Sequence, residues 1–363
     1  MDFDLSHDQK MMQASLDGTL ARVCPLDRVR KIGDAREAYA PDVFAALCDL
    51  GATGIVTPED YGGMGLTMLD AALVAEMLGR HVAPVPFLAT ALMAPLALLG
   101  AGSVAQKSEW LPKLAVGKAI AGVAVSEHAS GARDGAGIAP HNGRLSGQSL
   151  FVLDSAADLF VIADKHAELH LVAADAKGLS RLDLPTIDAT RSISSLSFKN
   201  VEAEPLSAGS GPAAVERMID AGRVALAADT LGASFAMLEK AVAYAKERRQ
   251  FGRFIGSFQA VKHLCAEMVA ELEPARALVW YAGYSFDMSG AQSRALVAHA
   301  KAHLAEVGRF VARTATEVHG GMGFTDLLGL HYWFKRVGVN RQLLGGPERA
   351  RHDAALAQGW LGN

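Results

Sequence analysis

From about residue 209 onward, apolar residues return at three- and four-residue intervals. Leu231, Phe235, Leu238 and Val242 form one such set. Val261, Leu264, Met268 and Leu272 form a second, and Leu296, Ala300, Leu304, Val307 and Val311 a third. Only a helix brings residues at this spacing to one side of the chain. Each stripe must be buried against another, and the breaks between them are short, so the pattern predicts an antiparallel helical bundle. Further helices are expected over about 327–344 and 348–359.

Upstream, the period changes. Ala119–Ser126, Leu150–Leu153 and Leu159–Ile162 are short apolar runs, followed by Leu169, Leu171 and Val172 and later by Ile193, Leu196 and Phe198. Gly, Asp and Asn separate them at short intervals, as in a small antiparallel β domain. Before this region, Val43, Leu47 and Leu50 recur at helical spacing, as do Leu69, Leu73, Val74 and Met77. The loop Pro58–Gly65 between those two helices is rich in glycine and needs unusual torsions. The expected organisation is α+β and mainly α: a helical domain over 1–117, a β domain over 118–208 and a helical bundle domain over 209–363. The 363 residues fit roughly two to three domains.

Composition removes several function classes. Half the residues are hydrophobic and a fifth charged, which excludes intrinsic disorder. Lys and Arg total 35 against 39 acidic residues, a net charge of −4; nucleic-acid binding normally brings a basic excess. Cys24, Cys48 and Cys265 are scattered and form no CxxC pair, which fits a reducing compartment and packing roles. The N-terminus lacks an apolar signal core. The most apolar stretch, Val82–Leu99, carries Pro84, Pro86 and Pro95 and makes a poor membrane span. A soluble, cytoplasmic protein without membrane insertion is expected.

Few segments offer chemistry. His299 and His303 stand four apart, but no glutamate lies between them, so a solvated helix face is expected and no metal site. There is no Gly-x-Ser-x-Gly elbow, Walker A loop or strand-borne Gly-x-Gly-x-x-Gly. Ser130–Gly137 is glycine-rich and fits either a plain loop or a flat ligand. Lys246–Val261 reads as a helix end, a turn and a new helix, with an arginine pair beside the fresh N-terminus. That suits an anion such as pyrophosphate, or is simply a charged helix-turn-helix. In Glu317–Thr325 a helix meets a Gly-Gly turn, which serves either as a cap or as bare backbone for a ligand.

Taken together, these segments resemble the acyl-CoA dehydrogenase family, nearly end to end. Pro58–Gly65 resembles its "PEEYGGxG" loop, Ala124–Glu127 its "xTEP" strand and Leu145–Gln148 its "hxGxK" turn. Arg248–Gly252 with Phe258 and Gln259 resembles "RxxFGxxxxxxQ", and His319–Thr325 resembles "GGxGxT". The resemblance implies N-terminal helices, a middle antiparallel β-barrel and a C-terminal four-helix bundle. It implies FAD, an acyl-CoA substrate, electron-transfer flavoprotein as acceptor, and a tetramer that is either homomeric or an α2β2 assembly with a paralogous subunit. It places Arg248, Phe251, Gln259, Glu317, Gly320 and Gly321 against FAD, partly across a subunit interface, and Val125, Ser126 and Phe151 near the flavin. In such enzymes a carboxylate removes the α-proton of the thioester while hydride leaves the β-carbon.

The chain departs from this pattern where it matters most. The glutamate of the family's "IYEGT" motif aligns with Gly345, and the alternative position before Arg223 holds Gly222. Neither offers a carboxylate. Asp220 lies two residues away, about 200° around a helix, and Glu348 lies three residues beyond Gly345; they are the remaining candidates. Gly222, Gly345 and Arg223 are expected in the substrate pocket, which the missing side chains would widen. The flavin-facing "W-I-T" reads Phe151–Leu153 and loses a hydroxyl at Leu153, the proline after Glu127 is His128, and a glutamine before the Gly-Gly pair is Glu317. Three readings remain open. The glutamate comes from a paralogous partner, as in branches acting on bulky steroid side-chain thioesters; or the enzyme is self-sufficient with a relocated base; or it is a flavin monooxygenase of the same fold.

Overall fold

The computed structural model describes residues 4–131, 135–288 and 290–361. The chain opens with helices α1 (His7–Val23), α2 (Leu26–Ala35), α3 (Pro41–Asp49), α4 (Met68–Arg80), α5 (Ala94–Ala101) and α6 (Val104–Ala115). Strands follow: β1 (Ala121–Ala124), then a short helix α7 (Ser126–Ser130), β2 (Gly137–His141), β3 (Arg144–Leu153), β4 (Leu159–Ala163), β5 (Leu169–Ala173), β6 (Leu179–Asp183), β7 (Ile193–Glu202) and β8 (Glu204–Leu206). The helical half contains α8 (Gly211–Glu247), a hairpin of β9 (Arg249–Gln250) and β10 (Arg253–Phe254), α9 (Gln259–Phe286), α10 (Ala291–His319), α11 (Leu330–Gln342) and α12 (Pro347–Ala357). The order of helical, β and helical parts agrees with the periodicity.

Local chemistry sets the helix starts. Ser6 with Gln9, Thr67 with Asp70 and Ser103 with Gln106 form reciprocal capping boxes on α1, α4 and α6, satisfying otherwise orphaned N–H groups. The Asp70 carboxylate also accepts a bond from Gln9 Nε2 at 2.9 Å, tying α1 to α4. In the glycine loop, Gly62 and Gly65 take φ of 77° and 60°, and a β-carbon on Gly63 would overlap Thr57. The unusual torsions expected there are present.

The sheet runs β6-β7-β3-β1-β4-β5-β8, with β2 paired to β3. It departs from the expected antiparallel arrangement at one pairing, since β1 and β4 run parallel with Val123 opposite Val161. A parallel pair needs a long crossover, and α7, β2 and β3 supply it. A bulge shifts the β3–β7 register between Ser149 and Val152, and Phe151 inside it has φ of 52°. Strand β6 had no apolar signature because it is largely exposed.

Helix α8 is buried along most of its length, as a helix apolar on nearly every side must be. It crosses α4 at backbone contact. A β-carbon on Gly79 would overlap the carbonyl of Asp229, and one on Gly232 would overlap that of Glu76. Beside this crossing lies a buried ionic cluster. Asp229 receives Arg336 at 2.6 Å and Arg191 at 3.1 Å. Asn340 donates to the same carboxylate at 2.6 Å, and Arg336 reaches Thr190 Oγ1 and the carbonyl of Ala83. The cluster joins α8 and α11 to the segment after α4 and to the β6–β7 connection.

Candidate active site

A cleft of about 400 Å³ opens where α7 and the β4–β5 turn face α8, α10 and α12. Its walls include His128 from α7, Glu216, Ile219 and Arg223 from α8, Arg294 from α10, and Arg349 and Asp353 from α12. The i, i+3 and i+4 spacing of the α8 residues puts them on one face. Arg223 is buried. Its Nη2 meets Asp353 at 2.6 Å and its Nε donates to the carbonyl of Leu344 at 2.9 Å. Arg349 Nε takes the other Asp353 oxygen at 2.8 Å. Arg294 pairs with Glu216 at 2.9 Å and faces Asp220 at 3.4 Å.

The residues expected to carry or replace the base sit differently from expectation. Gly222 and Gly345 do not widen the cleft. A β-carbon on Gly222 would overlap Leu344 Cδ1 and lie 3.1 Å from Met93 Sδ. One on Gly345 would lie 2.9 Å from the carbonyl oxygen of Ala129 and 3.1 Å from Arg223 Nη2. Close packing has filled both places, and among the described residues only Arg223 of the expected pocket trio lines the cleft. Glu348 is no base for this cleft. Its side chain is 74% exposed and reaches Arg341 at 3.4 Å. A backbone hydrogen bond at the start of α12 holds its carboxyl below the usual range, with Arg341 helping. Asp220 is buried against Arg294 rather than lining the cleft. Burial pushes its carboxyl up to about 6, against the pull of Arg294 and Arg223.

The loop between α11 and α12 is clamped by cations. Lys301 is buried, and its Nζ donates to the carbonyls of Asn340 and Arg341 at 2.8 and 3.1 Å, capping α11 as a cation suits a helix C-terminus. Burial pushes its ammonium down to about 7, and Arg223 and Arg341 push the same way.

The remaining expected site residues form two groups. Arg248, Phe251 and Gln259 are exposed on and beside the β9–β10 hairpin, Phe251 at 90%. Stacking of Arg249 on Phe254 and of Arg253 on Phe258 stiffens that hairpin. Glu317, Gly320 and Gly321 are exposed at the end of α10, and nothing lies within 4 Å of a β-carbon built on either glycine. In the second group, Val125 is buried, and Ser126 Oγ donates to the carbonyl of Phe151 at 3.0 Å. Leu153 is packed in the sheet core. Glu127 accepts bonds from Ser149 Oγ and the Leu150 N–H, so it holds β3 to α7. Of the glycine-rich stretch Ser130–Gly137, residues 132–134 lie outside the described residues. His299 and His303 are both exposed, and no metal-binding group of acidic, His or Cys residues occurs among the described residues. No described helix is long and apolar enough to cross a membrane.

Residues 6–118 match the model of the acyl-CoA dehydrogenase N-terminal domain, and residues 209–357 that of the C-terminal domain. Acyl-CoA dehydrogenase IpdE2 of Mycobacterium tuberculosis is 31% identical over 341 residues, covering 94% of each chain. The chain belongs to the acyl-CoA dehydrogenase family. Acyl-CoA dehydrogenase IpdE2 of Mycolicibacterium smegmatis is 29% identical over 94% of this chain and 96% of its own. A solved structure of a variant of the Tcur3481-Tcur3483 steroid ACAD superposes with a TM-score of 0.87 at 28% identity, over 97% and 98% of the two chains.

This acyl-CoA dehydrogenase is therefore an oxidoreductase of an FAD-dependent family, and a bound FAD would supply the acceptor for the hydride that leaves the β-carbon of the thioester. The chain fits such a group: open Gly320 and Gly321 backbone and an arginine-rich hairpin suit an anionic dinucleotide. Sequence reasoning missed Arg294, Arg349 and Asp353. The i, i+4 pair of Arg349 and Asp353 on α12 was a readable sign of a helix face, but not of its direction.

Proposed function

We propose that this acyl-CoA dehydrogenase is the glutamate-free subunit of a heteromeric enzyme, and that a paralogous chain supplies the base. The packing at Gly222 and Gly345 carries this reading. Both places from which a family carboxylate would reach the thioester are occupied by Leu344 and Met93, or bounded by Ala129, Arg223 and Arg349. The name of the Tcur3481-Tcur3483 steroid ACAD joins two proteins, which supports a two-chain assembly, and its steroid designation makes a bulky acyl-CoA thioester the substrate class to test first.

Within that assembly, Arg248, Phe251, Gln259, Gly320 and Gly321 would hold FAD, with Val125, Ser126 and Phe151 as the wall beside its ring. The first group is exposed in the single chain, which suits contacts completed by a neighbouring subunit. Glu317 would be an unfavourable charge near the phosphates. Electron-transfer flavoprotein is the expected acceptor.

The test is the purified two-chain complex with the partner's catalytic glutamate changed to glutamine. Loss of a general base costs about 10²-fold or more. Desaturation should fall by that factor, and undiminished desaturation would remove the partner reading.

A further inference from the structure

The cleft holds one polar group with no role so far. His128 is half-buried on the cleft wall, on the short α7 whose next residue abuts Gly345. Its Nε2 lies 2.7 Å from the carbonyl oxygen of Asp164. A carbonyl only accepts, so Nε2 carries the hydrogen, and whenever the ring is neutral its lone pair is on Nδ1.

The turn behind it is firmly built. The buried Asp164 carboxylate accepts the backbone N–H groups of His166 and Glu168 and lies 3.0 Å from His170 Nε2. The tautomer is thus set by a rigid carbonyl, as outer partners set a ligating histidine. Among the described residues nothing bonds Nδ1.

The cationic groups lining the cleft, Arg223, Arg294 and Arg349, are donors, and the acidic ones, Glu216 and Asp353, are taken up by them. A ligand hydrogen-bond donor entering here therefore finds an uncommitted acceptor in His128.

We propose that His128 is a recognition residue of this cleft, its Nδ1 accepting a hydrogen bond from an amide N–H on the arm of a CoA thioester. The proposal takes the cleft as a thioester site from the family assignment, and it concerns binding, not the source of the base.

Two substitutions separate the nitrogens. The amide nitrogen of His128→Gln can keep the bond to Asp164 but leaves no acceptor at Nδ1. The oxygen of His128→Asn stands near Nδ1 and keeps the acceptor. Calorimetric titration of the full chain with CoA, which has the arm but no acyl group, reads the effect. His128→Gln should weaken binding about ten-fold, the scale of one lost hydrogen bond. His128→Asn should recover most of it; the melting temperature should be unchanged in His128→Gln and slightly lowered in His128→Asn, which gives up the bond to Asp164.

Equal affinity in all three proteins, or no CoA binding by the wild-type chain, would overturn the proposal. So would a loss confined to a hydroxyacyl-CoA and absent with CoA, which would assign the contact to the acyl group. None of these results bears on the partner's glutamate, which the desaturation assay tests separately.

Discussion

The carbonyl oxygen of Ala129 lies 2.9 Å from the point where a β-carbon on Gly345 would sit. Gly345 also has φ of 94°, a conformation side chains rarely adopt. Its glycine is therefore a requirement of the present packing and not a deletion awaiting repair.

Putting glutamate back should fail for that reason. Gly345→Glu forces a strained backbone against Ala129 and Arg223, and Gly222→Glu must displace the side-chain ends of Leu344 and Met93. Each should destabilise by about 1–3 kcal/mol and give the lone chain no desaturation. Urea unfolding and product analysis check both outcomes. A stable, active Gly345→Glu chain would show that the site was merely vacant.

The Asp229 cluster should be the most sensitive polar site. Asp229→Ala leaves Arg191 and Arg336 buried without their shared carboxylate. Removing one partner of a buried pair costs about 3–5 kcal/mol. Denaturant midpoints of the variant and the wild type measure this directly, and a loss under about 1 kcal/mol would contradict a structural role.

The α4–α8 crossing predicts that a single methyl group is too many. Gly232→Ala places its β-carbon on the carbonyl of Glu76, so the helices must separate. A loss of about 1–3 kcal/mol is expected. Gly18→Ala, on α1 with nothing within 4 Å of the added carbon, is the control and should be neutral or slightly stabilising.

Asp220 gives a pH signature. Its folded carboxyl is pushed up to about 6 by burial, while an unfolded aspartate titrates near about 3.9. Between those values the folded chain binds more protons than the unfolded one. Its contribution to stability therefore falls as pH rises from about 4 to about 6 and stays unfavourable above. Asp220→Asn should be more stable than wild type at pH 7, by a margin that shrinks to a small remainder at pH 4. An equal difference at both pH values would mean that Asp220 is not perturbed.

Much of this was legible in the sequence, for reasons that differ by residue. Helical spacing located α8, α9 and α10 because their stripes face one core, although α8 proved buried well beyond its Leu231–Val242 stripe. Strand β6 was invisible because its side chains face solvent, and the parallel β1–β4 pair because strand order is not a local property. The glycines at 222 and 345 could be read as absences. What fills them could not, since Met93 and Ala129 are remote in sequence and Leu344 meets Gly222 only in the fold. His128 stood out as a departure, but the carbonyl that orients it comes from Asp164, 36 residues away.

The central claim is that no side chain of this protein takes the α-proton of the thioester. Anaerobic titration of the purified chain, reconstituted with FAD, against a saturated acyl-CoA tests it most directly. The account predicts that the visible flavin band stays unbleached and no enoyl-CoA forms until the glutamate-bearing partner is added. Full bleaching with stoichiometric enoyl-CoA from the chain alone would contradict it.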